Sequence, residues 1–228
     1  MEITWRDKKI TCEEGTTLFD ISKQVEKEYE FPIIVAKVDG VIQELYHEVI
    51  DGTAVSFCTT KDSDGKRAYI RGMSMLLLKA IQEEKAFKEE DRITIDFCLD
   101  SGYYCHLNSK EKPTKELLNR LEKRMREDVK KDIRFEKVVM RTRDARRMFE
   151  KKHMADKSNL LKYRRNSRMT VYHLGDFTDY YYGYMAPDTS YIRWFDLVPF
   201  VWNFLKMVLS LWFRKKRHLL QCLNLNQA

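Results

Sequence analysis

Ile33-Ile34-Val35-Ala36-Lys37-Val38-Asp39-Gly40 is a nearly unbroken apolar run closed by a turn dipeptide, and it decides how the first sixty residues are read. A run this short with no helical period marks a buried strand. Pro32 in front of it stops any preceding helix, because proline has no amide hydrogen and clashes with the turn before it. Upstream, Glu2-Ile3-Thr4-Trp5 alternates as a strand does, and Ile10 follows a polar turn at Arg6–Lys9, so two strands form a hairpin. Thr16 or Thr17 supplies a hydroxyl for the exposed amides of a helix running from Leu18 to about Tyr29. Leu18, Ile21 and Val25 fall at spacings of three and four, on one face of that helix. Downstream, Val41 and Leu45 continue the chain, Asp51-Gly52 turns it, and Ala54-Val55-Ser56-Phe57 is a last strand.

Two strands, a helix and further strands within residues 1–60 describe a β-grasp domain. The polar stretch that follows, residues 61–67 (Lys61-Asp62-Ser63-Asp64-Gly65-Lys66-Arg67), reads as a linker. A second unit spans residues 68–200. Met73–Gln82 is a helix packing through Leu76, Leu77, Ala80 and Ile81. Ile93–Phe97 and Gly102–Leu107 are paired strands. Thr114 caps a long helix with a stripe of Leu117, Leu118, Leu121, Met125 and Val129. Phe135–Met140 is a strand, Thr142 caps a helix through Phe149, and Met169–Leu174 is another strand. Helices and an antiparallel hairpin in this order give an α+β sandwich, so the fold class of the chain is α+β.

The composition, 43% hydrophobic with only eight Gly and four Pro, supports folded cores and excludes wholesale disorder and collagen-like repeats. The net charge of +7 hides an asymmetry: residues 1–109 carry 14 basic and 21 acidic residues, whereas residues 110–168 carry 22 and 10. A basic block behind an acidic start points to an anionic partner, RNA before others. Its candidates are Arg141, Arg143, Arg146, Arg147, Lys151, Arg164, Arg165 and Arg168, with Lys152 and Lys162 beside them. Arg143, Arg146 and Arg147 share one helical face. No base-reading motif accompanies the block, so recognition is expected by shape and charge, of RNA or a nucleotide and not of DNA. The bland alternative is a solvated helical surface. Cys12, Cys58, Cys98, Cys105 and Cys222 are odd in number, without CxxC spacing, which points to reduced thiols and a cytoplasmic setting. Cys98, Cys105 and His106 lie on neighbouring strands, but Cys105 and His106 face opposite sides of theirs. The other histidines are scattered. Tyr180, Tyr181, Tyr182 and Tyr184 permit two readings, base stacking or packing within a sheet.

Residues 33–40 together with Asp51-Gly52-Thr53-Ala54-Val55 resemble a TGS domain, the β-grasp module at the start of threonyl-tRNA synthetases. Asp100-Ser101-Gly102-Tyr103-Tyr104, Leu121-Glu122-Lys123-Arg124-Met125 and Ile70–Leu77 resemble segments of the editing domain that threonyl- and alanyl-tRNA synthetases share. That resemblance implies a hydrolytic site of two His from HxxxH and a Cys and a His from CxxxH. Here those positions read Arg71, Met75, Tyr181 and Met185. Arginine has no acceptor and methionine is a poor zinc ligand. The degenerate site therefore predicts no catalytic residues, no metal, no cofactor and no editing hydrolysis; an unconventional ester hydrolase is the alternative.

Arg141-Thr142-Arg143-Asp144-Ala145-Arg146-Arg147-Met148-Phe149-Glu150 and Tyr180–Met185, behind a TGS-like start, also resemble the N-terminal half of bacterial uridine kinase-like nucleoside kinases. That implies a P-loop kinase domain, in cis or in trans. No GxxxxGK[ST] occurs in the chain, so kinase chemistry is not expected of it. The expectation is a non-catalytic accessory module, not an enzyme by itself. Residues 201–228 form an apolar and basic tail. Phe200–Phe213 is too short to span a bilayer comfortably, so a membrane is not the expected partner; the segment reads first as a truncated or frame-shifted end, the alternatives being a segment that lies at a membrane surface or docks as a helix.

Overall fold

The apolar run at residues 33–38 is the central strand of a small sheet in the computed structural model, which describes residues 1–84, 92–99, 102–108, 114–152, 154–202 and 204–210. Strand β1 (Glu2–Trp5) pairs antiparallel with β2 (Lys8–Thr11), with Trp5 opposite Lys8. The turn is only two residues: Arg6 and Asp7 both take positive φ, the twist a tight hairpin requires. Helix α1 (Leu18–Val25) opens with a reciprocal cap in which Asp20 N donates to the Thr17 hydroxyl and Thr17 N donates to the Asp20 carboxylate. It ends sooner than expected, in a 3-10 turn over Glu26–Glu28. Strand β3 (Ile33–Val38) lies between β4 (Val41–Glu44) and β5 (Val55–Thr59), antiparallel to both. A parallel bridge between Thr4 and Ala54 brings the first hairpin beside β5. Ile3, Trp5, Leu18, Ile21, Val25, Ile33, Val38 and Phe57 are all buried in one core.

Residues 61–67 are not an extended linker. Helix α2 (Ser63–Glu83) begins inside them, ten residues ahead of the expected start at Met73. The Asp62 carboxylate accepts from both the amide (2.7 Å) and the hydroxyl (2.8 Å) of Thr59, which folds the chain directly from β5 into the helix. Gly65 has no side chain because the Thr59 carbonyl fills that space; a Cβ there would lie 2.1 Å from the oxygen. The polar residues that look like a loop in sequence are the solvated first turns of the helix.

Two compact units cut across the expected boundaries. One comprises Met1–Lys79 with Asp128–Ile192, the other Ala80–Glu127 with Arg193–Ala228. The second contains β6 (Arg92–Leu99), β7 (Gly102–Asn108) and most of α3 (Lys115–Val129). Leu117 N donates to the Thr114 hydroxyl, so Thr114 caps α3 as expected, and Leu117, Leu118, Leu121 and Met125 are buried. Arg126 lies over the Phe195 ring at 4.5 Å and donates to the Phe195 carbonyl.

In the first unit β8 (Glu136–Arg141) runs without a loop into α4 (Thr142–Lys151). Helix α5 (Ala155–Lys162), absent from the sequence reading, then leads to β9 (Arg168–Leu174) and β10 (Phe177–Tyr180), in an antiparallel sheet of order β10-β9-β8. Lys79 Nζ meets Asp128 Oδ2 at 2.6 Å with both side chains buried, and Lys131 reaches the other carboxylate oxygen at 2.7 Å.

Within the second unit, the expected boundary at residue 200 falls inside a strand. β11 (Asp196–Trp202) and β12 (Phe204–Ser210) pair with each other, and β12 pairs with β7 through Met207 opposite Cys105, in the order β11-β12-β7-β6. The start of the tail is therefore strand and not a docked helix; its partner β7 lies about a hundred residues upstream, where no local window sees it. Residues 211–228, including Cys222, lie outside the described residues, as do the side chains of Cys98 and His106. Among the described residues, no helix is long and apolar enough to cross a membrane.

Candidate nucleic-acid interface

Alternation along β8 and β9 turns Met169 and Val171 inward, where they pack with Ala145, Phe149 and Leu161 from α4 and α5. Burying Ala145 and Phe149 leaves the arginines of α4 toward solvent. Arg141 is at once the last residue of β8 and the helix N-cap, in extended conformation and without a side-chain cap bond. Thr142 was expected to cap α4; it is the first helical residue instead. Its amide donates to the Ser167 carbonyl at 2.9 Å and its hydroxyl to the Asn166 carbonyl at 2.5 Å. These bonds stitch the turn after α5 to the start of α4. Arg164, Arg165 and Arg168 are thereby drawn beside Arg141 and Arg143.

The result is a cavity of about 670 Å³ lined by Arg141, Arg143, Arg146, Lys162, Arg164, Arg165 and Arg168, together with Thr142, Leu161, Asn166 and Ser167. Among the described residues, no acidic residue lines it. Six of the eight residues expected to bind nucleic acid meet here; Arg147 and Lys151 lie exposed on α4 outside the lining, and Lys152 turns to the β9–β10 hairpin, donating to Thr178. Arg141 and Arg168 stand directly opposite each other in the β8–β9 register. Like charges so placed destabilise a strand pair. Arg146 has an internal partner in Glu150 at 3.0 Å and Arg143 a looser one in Asp144 at 3.7 Å. Arg141, Lys162, Arg165 and Arg168 have no carboxylate within ion-pair distance among the described residues. Arg164 Nη1 donates to the Tyr182 hydroxyl at 2.6 Å, while its Nε is buried with no partner among the described residues. A concave surface lined by one sign of charge concentrates counter-ions and attracts polyanions.

Arg71, Met75, Tyr181 and Met185, the positions expected to correspond to an editing site, present a different picture. On α2, Met75 follows Arg71 by one turn and is fully buried, as is Met185. Arg71 Nη1 donates to the Tyr184 carbonyl at 2.9 Å. Its guanidinium covers Gly183, whose φ is +104° and where a Cβ would meet Cζ at 2.7 Å. Burial pulls the Arg71 pKa below its ordinary value. Tyr172, its pKa pushed up by burial and the nearby Glu44 carboxylate, has its hydroxyl within hydrogen-bond distance of both Glu44 (2.6 Å) and the Gly183 carbonyl (2.8 Å). Glu44 also accepts from Met185 N. The Tyr181 hydroxyl is buried without a partner among the described residues. Sequence reasoning missed Glu44 as the residue that ties β4 to this segment, because its partners lie 128 and 141 residues away. Among the described residues, no three of His, Cys, Asp and Glu gather as a metal site would require.

Tyr180 packs edge-on against Phe149, whereas Tyr182 stands exposed beside Arg164.

No family model matches the chain. Among curated proteins it is similar to threonine–tRNA ligases: 29% identical to that of Clostridium kluyveri over 184 residues, covering 80% of this chain and 28% of the relative. The ligase of a Geobacter species is 27% identical over 183 residues, and that of Caldanaerobacter subterraneus 25% over 195 residues, 85% of this chain and 30% of the relative. The chain thus spans little more than a quarter of the length of the curated relatives it matches, and over that span it carries a region similar to a threonyl-tRNA synthetase.

Proposed function

We propose that this chain is a non-catalytic, tRNA-synthetase-like module that binds RNA through the basic cavity between β8, α4 and β9. The observation that carries this reading is the set of seven cations around one cavity with no acid among its described lining residues, five of them lacking any carboxylate partner among the described residues. Such groups are held together against their mutual repulsion, and a polyphosphate backbone relieves it by releasing bound counter-ions. Similarity to threonine–tRNA ligases, whose name makes tRNA their substrate, supports a tRNA-like partner. A TGS-like β-grasp start is consistent with the order of β1 to β5 and with the Thr4–Ala54 bridge. On this reading the editing-like second region keeps its architecture, while Arg71, Met75, Tyr181 and Met185 serve packing and not hydrolysis; the guanidinium laid on the Gly183 backbone supports that role. The resemblance to nucleoside kinases adds a further proposal, that the module serves a P-loop kinase domain in cis or in trans.

The test is filter binding of a tRNA transcript to the wild type and to Arg141→Gln/Arg168→Gln. Saturable binding that the double variant loses is the expected result. No binding by the wild type, or equal binding by the variant, overturns the proposal. Deacylation of mischarged tRNA by the wild type would restore the hydrolase reading.

A further inference from the structure

Two exposed aromatic rings stand beside cations that line the basic cavity. Tyr163 follows Lys162 at the end of α5 and is 78% exposed; Tyr182 is 67% exposed. A tyrosine left this open forgoes most of the free energy its ring would gain by burial. Tyr182 is nonetheless held in place. Arg164, which lines the cavity, donates to its hydroxyl at 2.6 Å and lies 5.2 Å from its ring centre. On the other side Tyr180 meets it edge-on at 5.9 Å, and Tyr180 is itself braced against buried Phe149 at 6.1 Å. The Tyr163 ring has Lys162 Nζ at 5.7 Å from its centre. Each ring thus stands next to a cation of the cavity.

The geometry points to single-stranded RNA as the ligand: phosphates enter the cavity and unpaired bases stack on Tyr182 and Tyr163. This rests on the RNA-binding reading above and deepens it. A base within a duplex has both faces covered by its neighbours and offers none to a protein ring, whereas an unpaired base does. Neither ring can contribute to a ligand that is charge alone, such as inorganic polyphosphate.

Fluorescence anisotropy with three probes separates these cases: a single-stranded RNA 12-mer, the same sequence as a duplex, and labelled inorganic polyphosphate. The wild type is expected to bind the single strand more tightly than the duplex. Tyr163→Ala and Tyr182→Ala each weaken single-strand binding by about 5- to 150-fold; Tyr163→Ala leaves polyphosphate affinity unchanged, Tyr182→Ala, which releases Arg164, does not weaken it, and Tyr182→Phe binds the single strand like the wild type. Both residues are exposed, and an unchanged melting curve checks that each variant folds. Equal affinity for duplex and single strand, or alanine variants that bind the single strand like the wild type, overturns the inference while leaving RNA binding intact. Failure of the wild type to bind any of the three probes overturns the RNA-binding reading itself.

Discussion

The salt dependence of binding tests the charge census of the cavity directly. Seven cations line it, but Arg143 and Arg146 already have carboxylate partners and Arg164 is engaged with Tyr182. Arg141, Lys162, Arg165 and Arg168 remain to neutralise phosphates. Each phosphate neutralised on a single strand contributes about −0.7 to the slope of log affinity against log salt, so four give about −3. Between 50 and 200 mM salt that is roughly a 50-fold loss of affinity. The Arg141→Gln/Arg168→Gln variant removes two of the four, leaving a slope of about −1.4 and roughly a 7-fold loss over the same interval. The assay is a titration of the RNA 12-mer by anisotropy at five salt concentrations. A wild-type slope shallower than −1, or a double variant whose slope matches the wild type, would refute the assignment of these residues as the phosphate contacts.

Other consequences concern the scaffold. Asp128→Asn removes the buried carboxylate charge that Lys79 and Lys131 both meet, which costs about 1.5–3 kcal/mol and lowers Tm by roughly 3–12 °C in thermal unfolding. Despite the desolvation that opposes it, bonding from Lys131 and Lys79 holds the Asp128 carboxyl below its ordinary pKa. Its contribution is therefore fully present above the unfolded-state value near ~3.9 and disappears as pH falls through the lower native value; urea midpoints at pH 7 and pH 3 should differ more in the wild type than in Asp128→Asn. Gly183→Ala forces a side chain into a left-handed backbone position and against the Arg71 guanidinium, and about 1–3 kcal/mol of stability is lost. In an Arg71→Ala background the same substitution should cost less, because the clash is gone while the backbone strain stays; an equal cost in both backgrounds would show that Arg71 does not fill that space. Thr17→Ala removes the cap of α1 and lowers stability by about 1 kcal/mol, read as a shift in the denaturant midpoint.

Local chemistry made much of the architecture legible. The run Ile33–Val38 is a strand because its side chains are apolar on both faces, and Thr17 and Thr114 cap helices because a hydroxyl beside unsatisfied amides is a local solution to a local problem. The six arginines of the cavity were visible as a basic block, since charge can be counted along a chain. What escaped depends on distant partners. Residues 63–67 look like a loop until the Thr59 carbonyl against Gly65 shows why a helix starts there. The segment 204–210 looks like a stray apolar tail until β7 offers it a hydrogen-bonding edge. Thr142 has the residue type of a cap, yet its hydroxyl is taken by the Asn166 carbonyl across the cavity.

Reading the chain residue by residue is enough to tell which residues are cationic, which faces are apolar, and that positions 71, 75, 181 and 185 hold no His or Cys. Only the tertiary structure decided that Arg141 and Arg168 face each other across two strands, that Arg147 stays outside while Lys162 joins in, and that Arg71 lies against the Gly183 backbone. The physical reason is that charge and hydropathy belong to single residues, whereas a cavity exists only when hydrogen bonds between segments far apart in the chain hold its walls in register.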